Sequence, residues 1–205
     1  MDIRRVTLGL TLAFGGTLFA ASWAGAEGPP PQHLRGSVDS LQDHVLAVKT
    51  ARGEQKVAFA DTTKVFQVSR ADISAVADGR FVGITSVEKN GHRVAVEVHI
   101  FDESLRGLGE GHYPWDLDSG PNMMTNANIA KVESVGADRV LKLDYKGGSQ
   151  TIDVPPDAQI VAFTAGSADE LKPGAKVFVI ARKADDGQLA AGAVVVGKDG
   201  LKPPM

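Results

Sequence analysis

The chain has 205 residues, of which 43% are hydrophobic and 23% are charged, with a formal net charge of -3. This composition is typical of a globular protein, and it excludes a disordered or collagen-like chain. Because the sequence contains no cysteine, disulfide scaffolds, thiolate metal sites and cysteine nucleophiles are excluded as well. The acidic balance disfavours nucleic acid as a partner, because such partners require clustered Lys and Arg.

The first 26 residues have the pattern of a secretory signal peptide. Arg4 and Arg5 precede an apolar stretch from Val6 to Ala21, and Ala24-Gly25-Ala26 is a small-residue cleavage site. We expect cleavage after Ala26 and a periplasmic location. The alternative is a membrane anchor, but the apolar stretch is shorter than the roughly 20 residues that a spanning helix needs. The two arginines leave the export route open between the general and twin-arginine pathways.

After a Pro-rich N-terminal arm at residues 27–33, the sequence predicts two copies of one unit, at 34–101 and 128–197. Val38-Asp39-Ser40-Leu41 matches Val132-Glu133-Ser134-Val135 in pattern and spacing. The segments Asp72 to Gly79 and Ser167 to Gly174 also correspond. The apolar runs that follow residue 26 are too short to span a membrane, and residues 198–205 form a C-terminal tail.

Each unit has the alternation of half-buried strands, and the predicted fold class is all-β. Asn90-Gly91 and Asp186-Gly187 are typical of tight hairpin turns. Asp72 and Ser167 each start a short helical turn, and Ser167 and Glu170 have the spacing of a capping box. About five strands with one such turn predict two tandem OB-like or Greek-key barrels, and a pair of sandwiches is the alternative. We expect four phenylalanines to fill the barrel cores: Phe66, Phe81, Phe163 and Phe178.

The connector, residues 102–127, has no clear strand or helix period, yet its composition predicts an ordered loop. It contains Tyr113 and Trp115, whereas flexible linkers are poor in aromatic residues. One interpretation is a compact loop whose Trp and Met side chains plug the seam between the barrels. Within this interpretation, any bound molecule lies on a face or between the barrels.

The other interpretation of the connector is a metal site. His112, Met123 and Met124 offer an imidazole and two thioethers, a soft ligand set that suits copper as Cu(I). The acidic residues Glu110, Asp116 and Asp118 are a weaker alternative for Ca²⁺, because their spacing does not match an EF-hand loop.

Catalytic patterns are missing from the sequence. It has no Gly-x-Ser-x-Gly motif, and no order of Ser, His and Asp singles out a triad. His44, His92 and His99 lie in or beside predicted strands, and we expect them to be exposed or hydrogen-bonded. His33 belongs to the N-terminal arm. The sequence therefore predicts a protein without enzymatic activity.

Three segments resemble those of a family of exported bacterial proteins, a domain of unknown function with OB-like β-repeats. They are Gly36-Ser37-Val38, Gly109-Glu110-Gly111-His112-Tyr113-Pro114-Trp115-Asp116 with Met124-Thr125-Asn126, and the ending Gly200-Leu201-Lys202-Pro203-Pro204-Met205. Some relatives carry the label of a metal ABC transporter permease, but a permease requires several spanning helices. The resemblance implies the two-repeat fold and assigns no ligand residue.

These observations give two hypotheses for function. In the first, a periplasmic binding protein holds a metal ion or small ligand at the connector, with Tyr113 and Trp115 as contacts. In the second, the connector or an exposed strand edge docks an envelope protein by adding a strand.

Overall fold

A computed structural model describes residues 30–117, 120–136, 138–184 and 186–205. The predicted signal peptide and Asp118 lie outside these residues. Within the described part of the chain, no helix has the length and apolar character needed to cross a membrane. Helical structure there consists of four 3-10 turns: Ile73–Ala75, Glu103–Leu105, Ala168–Glu170 and Lys198–Gly200.

The fold is all-β, as the alternation predicts, and its strands form one 13-stranded sheet. In chain order they are β1 (Gln32–Gln42), β2 (Val45–Thr50), β3 (Gly53–Ala58), β4 (Lys64–Arg70), β5 (Phe81–Lys89), β6 (His92–Phe101), β7 (Gly111–Trp115), β8 (Asn122–Val135), β9 (Asp138–Tyr145), β10 (Gly148–Val154), β11 (Gln159–Ala165), β12 (Lys176–Lys183) and β13 (Leu189–Gly197).

Local sequence signals form the predicted turns and caps. Asn90 and Gly91 both have positive φ, and they connect β5 to β6. The Asp72 carboxylate accepts the N–H of Ser74 at the first 3-10 turn. Ser167 and Glu170 form both bonds of the predicted capping box.

The strand pairings form two five-strand rings. Ring A contains β1, β2, β3, β12 and β13, and the β3–β13 bridge joins its ends. Ring B contains β5, β6, β8, β9 and β10, and the parallel β6–β10 bridge joins its ends. Strands β4 and β11 connect the rings in the order β6-β11-β4-β13.

Each ring combines strands from both predicted units, which differs from the expected tandem arrangement. Strands β5 and β6 come from residues 34–101, but in ring B they pair with β8 and β10. Strand β12 comes from residues 128–197, but it pairs with β1 of ring A. Hydrophobic periodicity sets which residues face inward, and it does not set which strand is the partner. The exchange of strands between the two predicted units is therefore decided by pairing between distant parts of the chain.

Three hydrophobic clusters follow this architecture. Ring A and ring B each enclose an aliphatic core, exemplified by Leu46 and Val179 in ring A and by Ile84 and Leu141 in ring B. The third cluster, here called the seam, takes residues from β4, β5, β6, β11, β12, β13 and the tail. It contains five phenylalanines: Phe66, Phe81, Phe101, Phe163 and Phe178. The expectation that four of them fill the barrel cores is wrong, because they lie in the cluster that joins the rings.

Candidate functional site

The connector is a β-hairpin against the seam, where an ordered loop was expected. Strand β7 pairs with β8, with Tyr113 opposite Met124 and Trp115 opposite Asn122. Strand β8 in turn pairs with β5 of ring B. The predicted N-terminal arm is also partly strand, because β1 starts at Gln32. The aromatic side chains of β7 are thus held at a fixed register.

Strand alternation divides the predicted contact residues between two faces of the hairpin. Tyr113, Trp115 and Met124 line a cavity in the seam. His112 lies opposite Thr125 on the alternate positions, and its Nδ1 is 2.8 Å from the Thr125 hydroxyl oxygen. Burial lowers the pKa of His112, and the nearby Arg93 charge lowers it further. The imidazole is therefore held in its neutral form over a wider pH range.

The proposed copper ligands are not brought together as one set. Adjacent Met123 and Met124 occupy alternate positions of β8, so their side chains point to opposite faces. Met124 faces the seam, whereas His112 shares the other face with Met123. Within the described residues, no group of three or more His, Cys, Asp or Glu side chains is placed to hold a metal ion.

Two of the three acidic residues proposed for Ca²⁺, Glu110 and Asp116, have other partners. Glu110 accepts the backbone N–H of Lys146. The Asp116 carboxylate lies 2.6 Å from His33 Nδ1 and accepts a 3.0 Å bond from Arg35. Burial raises the pKa of Asp116, but the bonds from Arg35 and His33 outweigh it and bring the pKa below its usual value. This contact fixes the end of the β7 segment to β1, where the His33 ring packs 4.6 Å from Trp115.

The seam cavity has a volume of about 240 Å³ and a largely aromatic wall. Within that wall, Phe163 packs 4.9 Å from Phe101 and 5.1 Å from Phe66, and Trp115 lies 6.1 Å from Phe178. The lining is mainly aromatic and aliphatic with one charged residue, Lys64; its other members are Phe66, His99, Phe101, Leu108, Gly109, Tyr113, Trp115, Met124, Asn126, Phe163, Phe178, Ile180, Ala193, Val195 and Met205. Such a site suits a small apolar molecule, since binding pockets are usually apolar with a few polar groups.

Three polar side chains of the lining have a buried atom without a hydrogen-bond partner among the described residues. They are the His99 Nε2, the Trp115 Nε1 and the Asn126 Oδ1. An unsatisfied buried polar group costs about 1–3 kcal/mol. Unpartnered groups are rare in native proteins and call for a specific explanation. Three of the six unpartnered buried side-chain atoms among the described residues thus belong to the lining of this cavity.

Asn126 holds the connector to the cavity. Its Nδ2 donates to the Leu108 and Gly109 carbonyl oxygens and to the Tyr113 hydroxyl, at 3.1–3.2 Å. Burial raises the pKa of Tyr113, which keeps its hydroxyl protonated. Gly109 has φ +61°, and a Cβ there would approach the Asn126 Nδ2 to 2.9 Å. Glycine is therefore needed for this close approach.

Sequence reasoning missed His99, Asn126 and Met205 as members of this site. His99 is 3% exposed, although its place in a strand indicated a solvent-exposed or satisfied histidine. The alternation of Glu97 and His99 with Val98 in β6 is typical of an exposed polar face, so the sequence pattern contained no sign of this burial. Both strand faces are buried here, because ring B lies on one side and the seam on the other.

Comparisons with protein-family models, with curated proteins and with solved structures find no match for this chain. The site is therefore interpreted from its own geometry.

Proposed function

We propose that this chain is an exported, non-enzymatic binding protein that holds a small, mostly apolar aromatic molecule in the seam cavity. The observation that carries the proposal is the aromatic wall with three unpartnered polar atoms. A cavity of about 240 Å³ exceeds the roughly 150 Å³ that accommodates benzene, so a compound of one or two rings fits. Export rests on the signal-peptide pattern of residues 1–26, and the OB-like character of the rings rests on their five-strand closure.

A hydroxyl group on the ligand would supply hydrogen-bond partners for the unpaired polar atoms of the cavity wall. The Trp115 indole N–H is a donor, and the Asn126 Oδ1 is an acceptor. A phenol hydroxyl both donates and accepts, whereas a hydrocarbon of the same shape leaves these atoms unpaired. We therefore expect p-cresol to bind more tightly than toluene. The difference in binding free energy should equal the net contribution of one hydrogen bond, about 0.5–1.5 kcal/mol.

Calorimetric titration with p-cresol and toluene tests this function. We expect p-cresol to bind and to raise the unfolding temperature, because binding to the native state adds stability. Ala193 lines the cavity, so Ala193→Leu should narrow it and weaken the binding of both compounds. The matched control is Ala58→Leu, at an exposed strand position, which should bind p-cresol normally. Failure of the unmodified chain to bind either compound, or normal binding by Ala193→Leu, would refute the proposal.

The alternative hypothesis, docking of an envelope protein, has a different prediction. Strand β7 pairs only with β8 among the described strands, so its other edge is a candidate for strand addition. This alternative does not require the cavity. It would become the leading hypothesis if neither aromatic compound bound.

A further inference from the structure

A second cavity lies beside the seam cavity and has a different chemistry. Its volume is about 450 Å³, and most of its lining surface is apolar. It also holds Gln159 and four charged side chains, for which it is here called the polar cavity: Arg35, Arg70, Glu97 and Lys202. Met205 lines both cavities. The two spaces are therefore neighbours at Met205.

A second contact also joins the cavities. On β6, Glu97 lines the polar cavity and His99 lines the seam cavity. Their Oε1 and Nε2 atoms are 3.5 Å apart. A bulge in β6 opposite Thr85 and Ser86 lets consecutive Val96 and Glu97 both line the polar cavity. The two spaces are thus neighbours along one strand as well as across Met205.

The available charge in the polar cavity is positive. Arg35 is already compensated, since it donates to Asp116 and to the Met205 backbone oxygen. Arg70 and Lys202 are exposed and form no ion pair with any described residue.

Glu97 also lines this cavity, and its carboxylate is almost completely buried. The side chain is 1% exposed, and its Oε1 accepts the Thr85 hydroxyl at 2.5 Å. It therefore presents almost no surface to the cavity. A ligand entering this space meets the two unpaired cations and the Gln159 amide.

We propose that the ligand is an aromatic carboxylate, with its ring in the seam cavity and its carboxylate between Arg70 and Lys202. The inference rests on the proposed function and specifies its ligand class. Guanidinium and ammonium groups form charge-assisted bonds with carboxylate oxygens. Met205 shifts to let the chain between ring and carboxylate pass from one cavity to the other.

The experiment compares phenylacetate, 3-phenylpropionate and 4-phenylbutyrate with their neutral amides by calorimetric titration of the full chain. The three acids differ in the number of carbon atoms between ring and carboxylate, so they test which chain length reaches from one cavity to the other. We expect at least one carboxylate to bind about tenfold more tightly than its amide, a difference of 1.4 kcal/mol. The double variant Arg70→Gln with Lys202→Gln should remove that preference and leave p-cresol affinity unchanged. The control pair is Arg182→Gln with Lys172→Gln, at exposed positions outside both cavities.

The outcomes separate this inference from the proposed function. If p-cresol binds but every carboxylate binds no better than its amide, the ligand class is wrong and the seam cavity remains the site. A carboxylate preference that persists in the Arg70 and Lys202 double variant also overturns the inference. If p-cresol and all the acids fail to bind, both proposals fall.

Discussion

The ring cores and the seam are both hydrophobic, but they differ in side-chain shape. The cores of rings A and B are mainly Val, Ile, Leu and Ala, which fill narrow β-barrel interiors. The seam instead packs five phenylalanines from five strands against the connector and the tail. Its large planar rings surround a largely apolar cavity, and three side chains of the lining have an unpartnered polar atom. The aliphatic cores of the rings are thus closely filled, whereas the seam leaves the space of about 240 Å³ that the proposed ligand would occupy.

Shortening a side chain in a ring core should lower the stability of the protein strongly and leave ligand binding unchanged. Leu141 is fully buried in the ring B core, so Leu141→Ala should destabilise the protein by about 2–5 kcal/mol through lost burial and a cavity. Because Leu141 does not line the seam cavity, the affinity for p-cresol should stay the same in the folded variant. Urea unfolding and calorimetric titration measure the two quantities. A large loss of p-cresol affinity with intact folding would show that the ring core and the seam are not separable.

A smaller effect is expected at Gly83, where ring B meets the seam. A Cβ there would lie 2.5 Å from the Asn126 Oδ1 and 3.0 Å from a Phe101 ring carbon. Gly83→Ala should therefore destabilise the fold by about 1–3 kcal/mol through overpacking, and it should weaken p-cresol binding by displacing Asn126.

Gly192→Ala is the matched control for Gly83. The nearest atom to its added Cβ would be the Ile180 carbonyl oxygen, at an ordinary 3.7 Å. We expect little change in urea unfolding or p-cresol affinity. Equal effects at the two glycines would contradict the special crowding at the seam.

The smallest change in stability is expected for substitution of His112, which lies on the hairpin face away from the cavity. The pKa of His112 is lowered below 6.5 by burial and by Arg93, so the folded state favours the neutral imidazole. Its contribution to stability is present above pH 6.5 and is lost as pH falls through the lowered pKa. His112→Gln keeps a polar partner for Thr125 and should reduce the loss of stability between pH 7 and pH 5. Chemical unfolding across this range is the measurement, and unchanged pH dependence in the variant would contradict the assignment.

Short-range features of the fold were predictable because their causes lie within a few residues. The Asn90-Gly91 turn and the Ser167 capping box follow from positive φ and from local side-chain hydrogen bonds. For the site, the aromatic connector drew attention to Tyr113 and Trp115, and both residues line the seam cavity. Its strand structure was missed, because β7 is short and contains Pro114, a residue that weakens strand patterns.

By itself, the sequence determined an all-β chain with definite turns and caps, because alternation and turn chemistry act locally. Tertiary structure decided that β5 and β6 pair into one ring with β8 and β10. It also decided that β6 is buried on both faces, which takes His99 out of solvent and into the cavity wall. These outcomes depend on contacts between residues far apart in the chain, and strand periodicity carries no information about which distant strand will cover a face.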